Sequence, residues 1–159
     1  AAEENRQRAV SGAKTTFILE NAALFQVPES ADRFYFFNPF SVEILQKVLA
    51  DNFADVTFSG GDPMFQPEGF TQLAHAIKER SRKNIWCYTG YTFEKLLRNP
   101  RQAQLLKYID VLVDGKFKKE LRDEELYFRG SRNQRLIDVQ TSLQKGETVI
   151  YHYNPKKGI

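Results

Sequence analysis

From Asp55 to Val113 the chain alternates short β-prone runs, turns and amphipathic helical stretches, and that alternation leaves few folds open. Val56-Thr57-Phe58 reads as a strand, Gly60-Gly61-Asp62-Pro63 as a turn, and the residues after Pro67 as a helix. That helix sets Phe70, Leu73, Ala74 and Ile77 on one apolar stripe. Ile85-Trp86-Cys87-Tyr88 is the next strand. Thr92 then caps a helix carrying Phe93, Leu96 and Leu97, and Pro100 breaks it ahead of a second helical stretch through Leu105 and Leu106. Val111-Leu112-Val113 follows as a strand that Asp114-Gly115 ends. Strand, helix, strand, helix, strand implies right-handed crossovers, so the expected class is α/β with a parallel sheet.

The flanks extend this unit. Residues 1–14 are polar and without apolar periodicity, a loose lead-in or frayed helix. Thr15 to Leu19 can form a strand, and Arg33-Phe34-Tyr35-Phe36-Phe37 is a stronger one that Asn38-Pro39 stops. Ser41 can cap a helix whose Ile44, Leu45, Val48 and Leu49 share a face. Toward the other end, Leu136 to Val139 and Val149 to Tyr153 look like strands separated by a turn at Lys145-Gly146. The expected division is an amino-terminal segment, 1–50, and a main unit, 51–159.

Composition excludes several classes. With 42% hydrophobic and 27% charged residues the chain is neither disordered nor a membrane protein, and its longest apolar runs are strand-sized. Ala1-Ala2-Glu3-Glu4-Asn5-Arg6 lacks the basic start and apolar core of a secretory signal, which points to the cytoplasm. A net charge of +3 over interspersed acids and bases describes a mixed surface rather than a nucleic-acid footprint, although Arg129, Arg132 and Arg135 lie close together. The single cysteine, Cys87, sits among apolar strand residues and reads as a small buried side chain. His75 on a helix surface and His152 between two tyrosines make no convincing metal ligands, so no metal site is expected from residues present.

Chemistry gathers at the strand ends. Ser59-Gly60-Gly61-Asp62-Pro63 follows a buried-looking strand, where glycines let backbone N–H and C=O groups approach a ligand and Asp62 could accept bonds from an ammonium group. The same letters also make an ordinary turn. Asp114 can be read either as a group lining the same mouth or as a turn former before Gly115. Lys116 reads as solvated. Arg129, Ser131, Asn133, Gln134 and Arg135 could clasp a carboxylate or phosphate or meet a partner, or could form an exposed turn.

Four motifs in order carry a family resemblance: Thr57 to Pro67, Ile85 to Thr92, Tyr108 to Phe117, and Phe128 to Arg135. Together they resemble the later part of the activating proteins of anaerobic ribonucleotide reductases, which are radical S-adenosylmethionine enzymes. The resemblance implies a truncated radical-SAM-like (βα) partial barrel lacking its first βα unit. It implies S-adenosylmethionine and a 4Fe–4S cluster as cofactors, and anaerobic ribonucleotide reductase as partner. The implied reaction is reductive cleavage of S-adenosylmethionine followed by hydrogen abstraction from a glycine of the reductase. The implied cofactor-binding residues are Ser59, Gly60, Gly61, Asp62, Pro63, Thr89, Gly90 and Asp114, and related activating enzymes carry a lysine near Lys116 that approaches the cofactor. No residue of this chain is assigned as catalytic, because the family's Cys-x-x-x-Cys-x-x-Cys motif is missing and one cysteine cannot hold the cluster. The chain alone is therefore expected to be inactive. The alternatives are a non-catalytic partner- or nucleotide-binding domain, or a fragment of a methyltransferase fusion, since Asp32 to Ser41 resembles the fourth strand and Asn-Pro loop of class I S-adenosylmethionine-dependent methyltransferases.

Overall fold

The computed structural model describes residues 33–36, 42–51 and 53–153. The expected strand at Thr15 to Leu19, the Asn38-Pro39 stop and the Ser41 cap lie outside the described residues. A five-stranded sheet runs in sequence order: β1 (Arg33–Phe36), β2 (Asp55–Phe58), β3 (Ile85–Tyr88), β4 (Val111–Asp114) and β5 (Arg135–Asp138). Helix α1 (Val42–Ala50) connects β1 to β2, α2 (Pro67–Arg80) connects β2 to β3, and α3 (Phe93–Leu97) with α4 (Pro100–Leu106) connects β3 to β4. The chain is α/β, as the alternation implies.

Each strand divides its residues between two faces, because side chains alternate along an extended backbone. Val56, Phe58, Ile85, Cys87, Leu112 and Ile137 join one core with Val48 of α1, Phe70, Leu73, Ala74 and Ile77 of α2, Phe93 and Leu96 of α3, and Leu105 and Leu106 of α4. The stripe read along α2 is the stripe it buries. Trp86, Val111, Val113 and Leu136 point the other way and pack with Tyr88, Phe128 and Tyr151. Here rings meet edge to face, Trp86 with Phe128 at 4.9 Å and with Tyr151 at 5.6 Å between centroids.

Two expectations need correction. The sheet is mixed, because β1 to β4 are parallel but β5 pairs antiparallel to β4, with Asp114 opposite Arg135. Between them, residues 115–134 contain a 3-10 turn at Lys119–Leu121 and an isolated antiparallel bridge between Arg122 and Ser131, and no crossover helix. A parallel partner needs a crossover, usually helical, and without one the chain re-enters the sheet from the end it left. The second correction concerns the end of the unit, where a helix, α5 (Val139–Lys145), stands in place of a plain turn. Asp138 caps it by accepting from Thr141 N at 3.0 Å, and Gly146 ends it at φ 71°, a left-handed position that suits glycine. Of the strand expected at Val149 to Tyr153, a single antiparallel bridge between Ile137 and Ile150 is found.

The packing separates two leucines that the sequence treats alike. Leu112 is fully buried on β4, an interior strand of the sheet, whereas Leu97 is 43% exposed. Leu112→Ala should lower stability by about 2–5 kcal/mol and Leu97→Ala by under about 1 kcal/mol, measured by urea unfolding. Equal losses would contradict the core described.

Candidate functional site

Three turns meet at the carboxyl ends of β2, β3 and β4. They enclose a cleft of about 240 Å³ lined by Gly60, Asp62, Tyr88, Thr89, Gly90, Gly115, Lys116, Phe117 and Gln134. Parallel strands with helical returns place such turns side by side. Two backbone bonds fasten the second turn to the third, Thr89 N to Val113 O at 3.0 Å and Gly115 N to Tyr91 O at 2.8 Å.

The first turn takes an unusual path. Gly60, Gly61 and Asp62 have φ of 78°, 53° and 38°, so three successive residues lie in the left-handed region. Glycine enters that region without steric cost, and aspartate enters it when its side chain bonds locally. Asp62 does so, since its Oδ1 accepts from Met64 N at 3.0 Å. The same carboxylate reaches across to the second turn. Thr89 Oγ1 donates to Oδ1 at 2.9 Å and Gly90 N donates to Oδ2 at 2.9 Å. Asp62, expected to accept from a ligand's ammonium group, thus lines the cleft while accepting from three donors of the chain itself. Beneath the loop, buried Gln102 of α4 donates to Met64 O at 2.7 Å. Ser59, Gly61 and Pro63 belong to this segment without lining the cleft.

Asp114 also differs from the mouth-lining expectation. It is fully buried and absent from the cleft wall. Its Oδ2 accepts from Phe93 N at 2.9 Å, starting α3 in place of Thr92, whose side chain makes no capping bond. Arg135 donates to it twice, Nε to Oδ1 at 3.0 Å and Nη2 to Oδ2 at 2.5 Å. Arg135 also grips Glu94, Nη1 to Oε1 at 3.0 Å and Nη2 to Oε2 at 2.9 Å, and Thr148 Oγ1 donates to Glu94 Oε1 at 2.9 Å. The hydrogen bonds from Arg135 hold the Glu94 carboxyl down at about 2, against an ordinary value of 4.5.

The arginine-containing run builds a wall. Gln134 Oε1 accepts from Gly130 N at 2.9 Å and Ser131 N at 3.2 Å, while its Nε2 donates to Gly115 O at 3.1 Å. Asn133 Nδ2 donates to Lys116 O at 2.8 Å, Lys118 N to Ser131 Oγ at 3.2 Å, and Arg129 Nη1 to Gln134 O at 3.0 Å. Arg135 is spent inside the ion pair just described. The run therefore shapes the 115–118 side of the cleft, and of its members Gln134 alone lines it.

Tyr88, Gly115 and Phe117 were not among the site residues expected from sequence, yet they line the cleft, and so does Lys116, which read as solvated although the resemblance implied a lysine near the cofactor there. The signals were local. Tyr88 ends a strand whose Cys87 faces the helices, so alternation turns Tyr88 to the opposite face, and Lys116-Phe117 directly follow a strand stop. Lys116 adds an ammonium group to a lining that also holds the Asp62 carboxylate. Among the described residues no three His, Cys, Asp or Glu side chains gather to hold a metal, and no helix is long and apolar enough to cross a membrane.

The mixed sheet makes this an α/β domain, and its small cleft lies at the carboxyl ends of the parallel strands, where open α/β sheets commonly gather ligands. Residues 28–137 match the 4Fe–4S single cluster domain family, and the chain belongs to that family. It is similar to several anaerobic ribonucleoside-triphosphate reductase-activating proteins. That of Enterobacteria phage T4 is 43% identical over 84 residues, covering 51% of each chain. That of Vibrio cholerae is 41% identical over 104 residues, 60% of this chain and 66% of the relative. That of Salmonella typhi is 38% identical over 106 residues, 60% of this chain and 67% of the relative. The chain spans about half the length of the phage relative. No solved structure matches it.

The Glu94–Arg135 pair predicts a pH dependence. A carboxyl lowered on folding adds stability that is present above its unfolded value near 4.5 and is lost as pH falls toward about 2. Glu94→Gln should lower the melting temperature at pH 7, and the gap from the parent should close as pH drops from about 5 to about 2. Since Glu94 is 47% exposed, salt should shrink the gap. A gap independent of pH would contradict the pairing.

Proposed function

We propose that this chain is the S-adenosylmethionine-holding part of a radical-SAM activating protein acting on anaerobic ribonucleotide reductase, its sheet a portion of the family's (βα) partial barrel. One observation carries the reading. The turns that bear the family's motifs, at Gly60-Gly61, Thr89-Gly90 and Gly115, converge on one cleft. The cleft offers backbone polar groups, the rings of Tyr88 and Phe117, and the Lys116 ammonium. These suit a ligand with a flat base at one end and a charged amino-acid group at the other. At about 240 Å³ the cleft is smaller than the 300–1,000 Å³ usual for whole small-molecule sites, so it encloses part of such a ligand.

The residues present do not fit the cluster. A 4Fe–4S cluster with one open iron takes three thiolates, and this chain has one cysteine. Cys87 is fully buried in the helix-side core, where burial, with the nearby Asp62 charge adding to it, pushes its thiol well above the usual range. That is the environment of an inert thiol. Within this chain the cleft therefore acts in binding, and the reductive step has no ligand set. This favours, as a second reading, a domain that binds ligand or partner without catalysis.

Two measurements test these readings. Without chelation to iron, a few neutral hydrogen bonds of about 1 kcal/mol each leave weak binding, on the order of millimolar, or about 4 kcal/mol. Isothermal titration with S-adenosylmethionine should show this, and Gly60→Val, at a glycine that lines the cleft, should abolish it by blocking the backbone. Absence of saturable binding, or binding untouched by Gly60→Val, would overturn the proposal. Reconstitution with iron and sulfide should give no stoichiometric cluster absorption, and one full cluster per chain would contradict the ligand count.

A further inference from the structure

We infer that Asp62 is a positioning residue, a carboxylate clasp that sets the distance between the Gly60-Gly61 and Thr89-Gly90 turns, and that the ligand meets the backbones it spaces rather than Asp62 itself. The inference rests on the reading of the cleft as an S-adenosylmethionine site. The observation behind it is the origin of the hydrogen bonds that this carboxylate accepts among the described residues. Met64 N comes from its own loop at 3.0 Å, Thr89 Oγ1 reaches Oδ1 at 2.9 Å and Oδ2 at 3.1 Å, and Gly90 N reaches Oδ2 at 2.9 Å. The clasp spans 27 and 28 residues of sequence between strands that are neighbours in the sheet.

The register of β2 against β3 ends at Phe58 opposite Cys87, so beyond that pair no sheet bond fixes the two turns relative to each other. The third turn differs, because Thr89 N to Val113 O and Gly115 N to Tyr91 O tie it to the second by backbone alone. Across the cleft mouth, then, one side is set by main-chain bonds and the other by a single side chain. The Asp62 backbone at φ 38° fits this role, since a left-handed residue aims the carboxylate back over its own loop and across to Thr89. Thr89 is 7% exposed, which keeps water from competing for the clasp.

Chemistry distinguishes aspartate from its isostere. A carboxylate can accept from Met64 N and Gly90 N together, one on each oxygen, whereas an amide has one acceptor oxygen and must turn its NH2 toward one of those donors. Asp62→Asn therefore opens the clasp while preserving volume. Thr89→Val removes the hydroxyl donor, and Thr89→Ser keeps it.

The test follows backbone amide resonances of the parent and the three variants during titration with S-adenosylmethionine, with melting temperatures alongside. The Gly90 amide proton should move in Asp62→Asn and stay in place in Thr89→Ser. Affinity should fall about tenfold or more in Asp62→Asn and Thr89→Val and return to the parent value in Thr89→Ser, out of proportion to any change in melting temperature. An unmoved Gly90 resonance in Asp62→Asn, or parent-like affinity in that variant, would overturn the inference while leaving the cofactor reading intact. Absence of binding in the parent would sink the cofactor reading and with it the ligand half of the inference, with the Gly90 resonance still deciding whether the clasp exists.

Discussion

The pair between buried Asp114 and half-buried Arg135 is the interaction on which the carboxyl end of the sheet depends. A fully buried carboxylate needs its oxygens filled, and here a guanidinium supplies two bonds while Phe93 N supplies a third. Three elements are fixed by this one group. It joins β4 to the antiparallel β5, where Asp114 and Arg135 stand opposite, and it sets where α3 begins. Arg135 then extends the hold outward to Glu94 and Thr148. Removing Arg135 would leave the Asp114 carboxylate buried without its cation, which typically costs about 3–5 kcal/mol, far more than an exposed pair such as Arg122 with Glu124 contributes, whereas Arg135 without Asp114 would stay partly solvated and paired with Glu94.

The polar side chains of the family motifs follow a common rule. Asp62, Thr89, Asp114, Ser131, Asn133, Gln134 and Arg135 bond mainly to the chain itself. They hold loops that contain no regular hydrogen-bonded structure, which otherwise would leave polar backbone unpaired near the sheet end. What they leave for a ligand is backbone at glycine positions, two rings and Lys116. In such a site, specificity comes from the spacing of turns more than from any one charged contact, and mutating the polar residues acts through geometry.

The scaffold was largely legible in the sequence. The α2 stripe, the core strands and the sites of the three turns all follow from periodicity and from glycine and proline positions. What was not legible depends on contacts distant along the chain. Asp62 reads as a ligand acceptor until Thr89 and Gly90 are seen to lie within 3 Å of it, and Asp114 reads as a mouth residue until Arg135 is placed opposite by an antiparallel strand. The direction of β5 itself was hidden, because period-two patterning is the same in parallel and antiparallel strands and the long connection from 115 to 134 carries no helical stripe. Helix α5 escaped notice because its seven residues are too few for a periodic signal and its Asp138 cap lies inside what reads as a strand.

In the proposed function, the strand-end cleft binds its ligand through backbone spaced by side chains that bond to the chain itself. A crystal structure of the chain with S-adenosylmethionine tests this most directly. The ligand is expected between the Gly60-Gly61 turn, Gly90 and Lys116, with Asp62 still bonded to Thr89 and Asp114 still bonded to Arg135. Ligand seated at the opposite end of the sheet, among Asn84, Asp110 and Gln140, or an Asp62 carboxylate released from Thr89 to grasp the ligand, would contradict it.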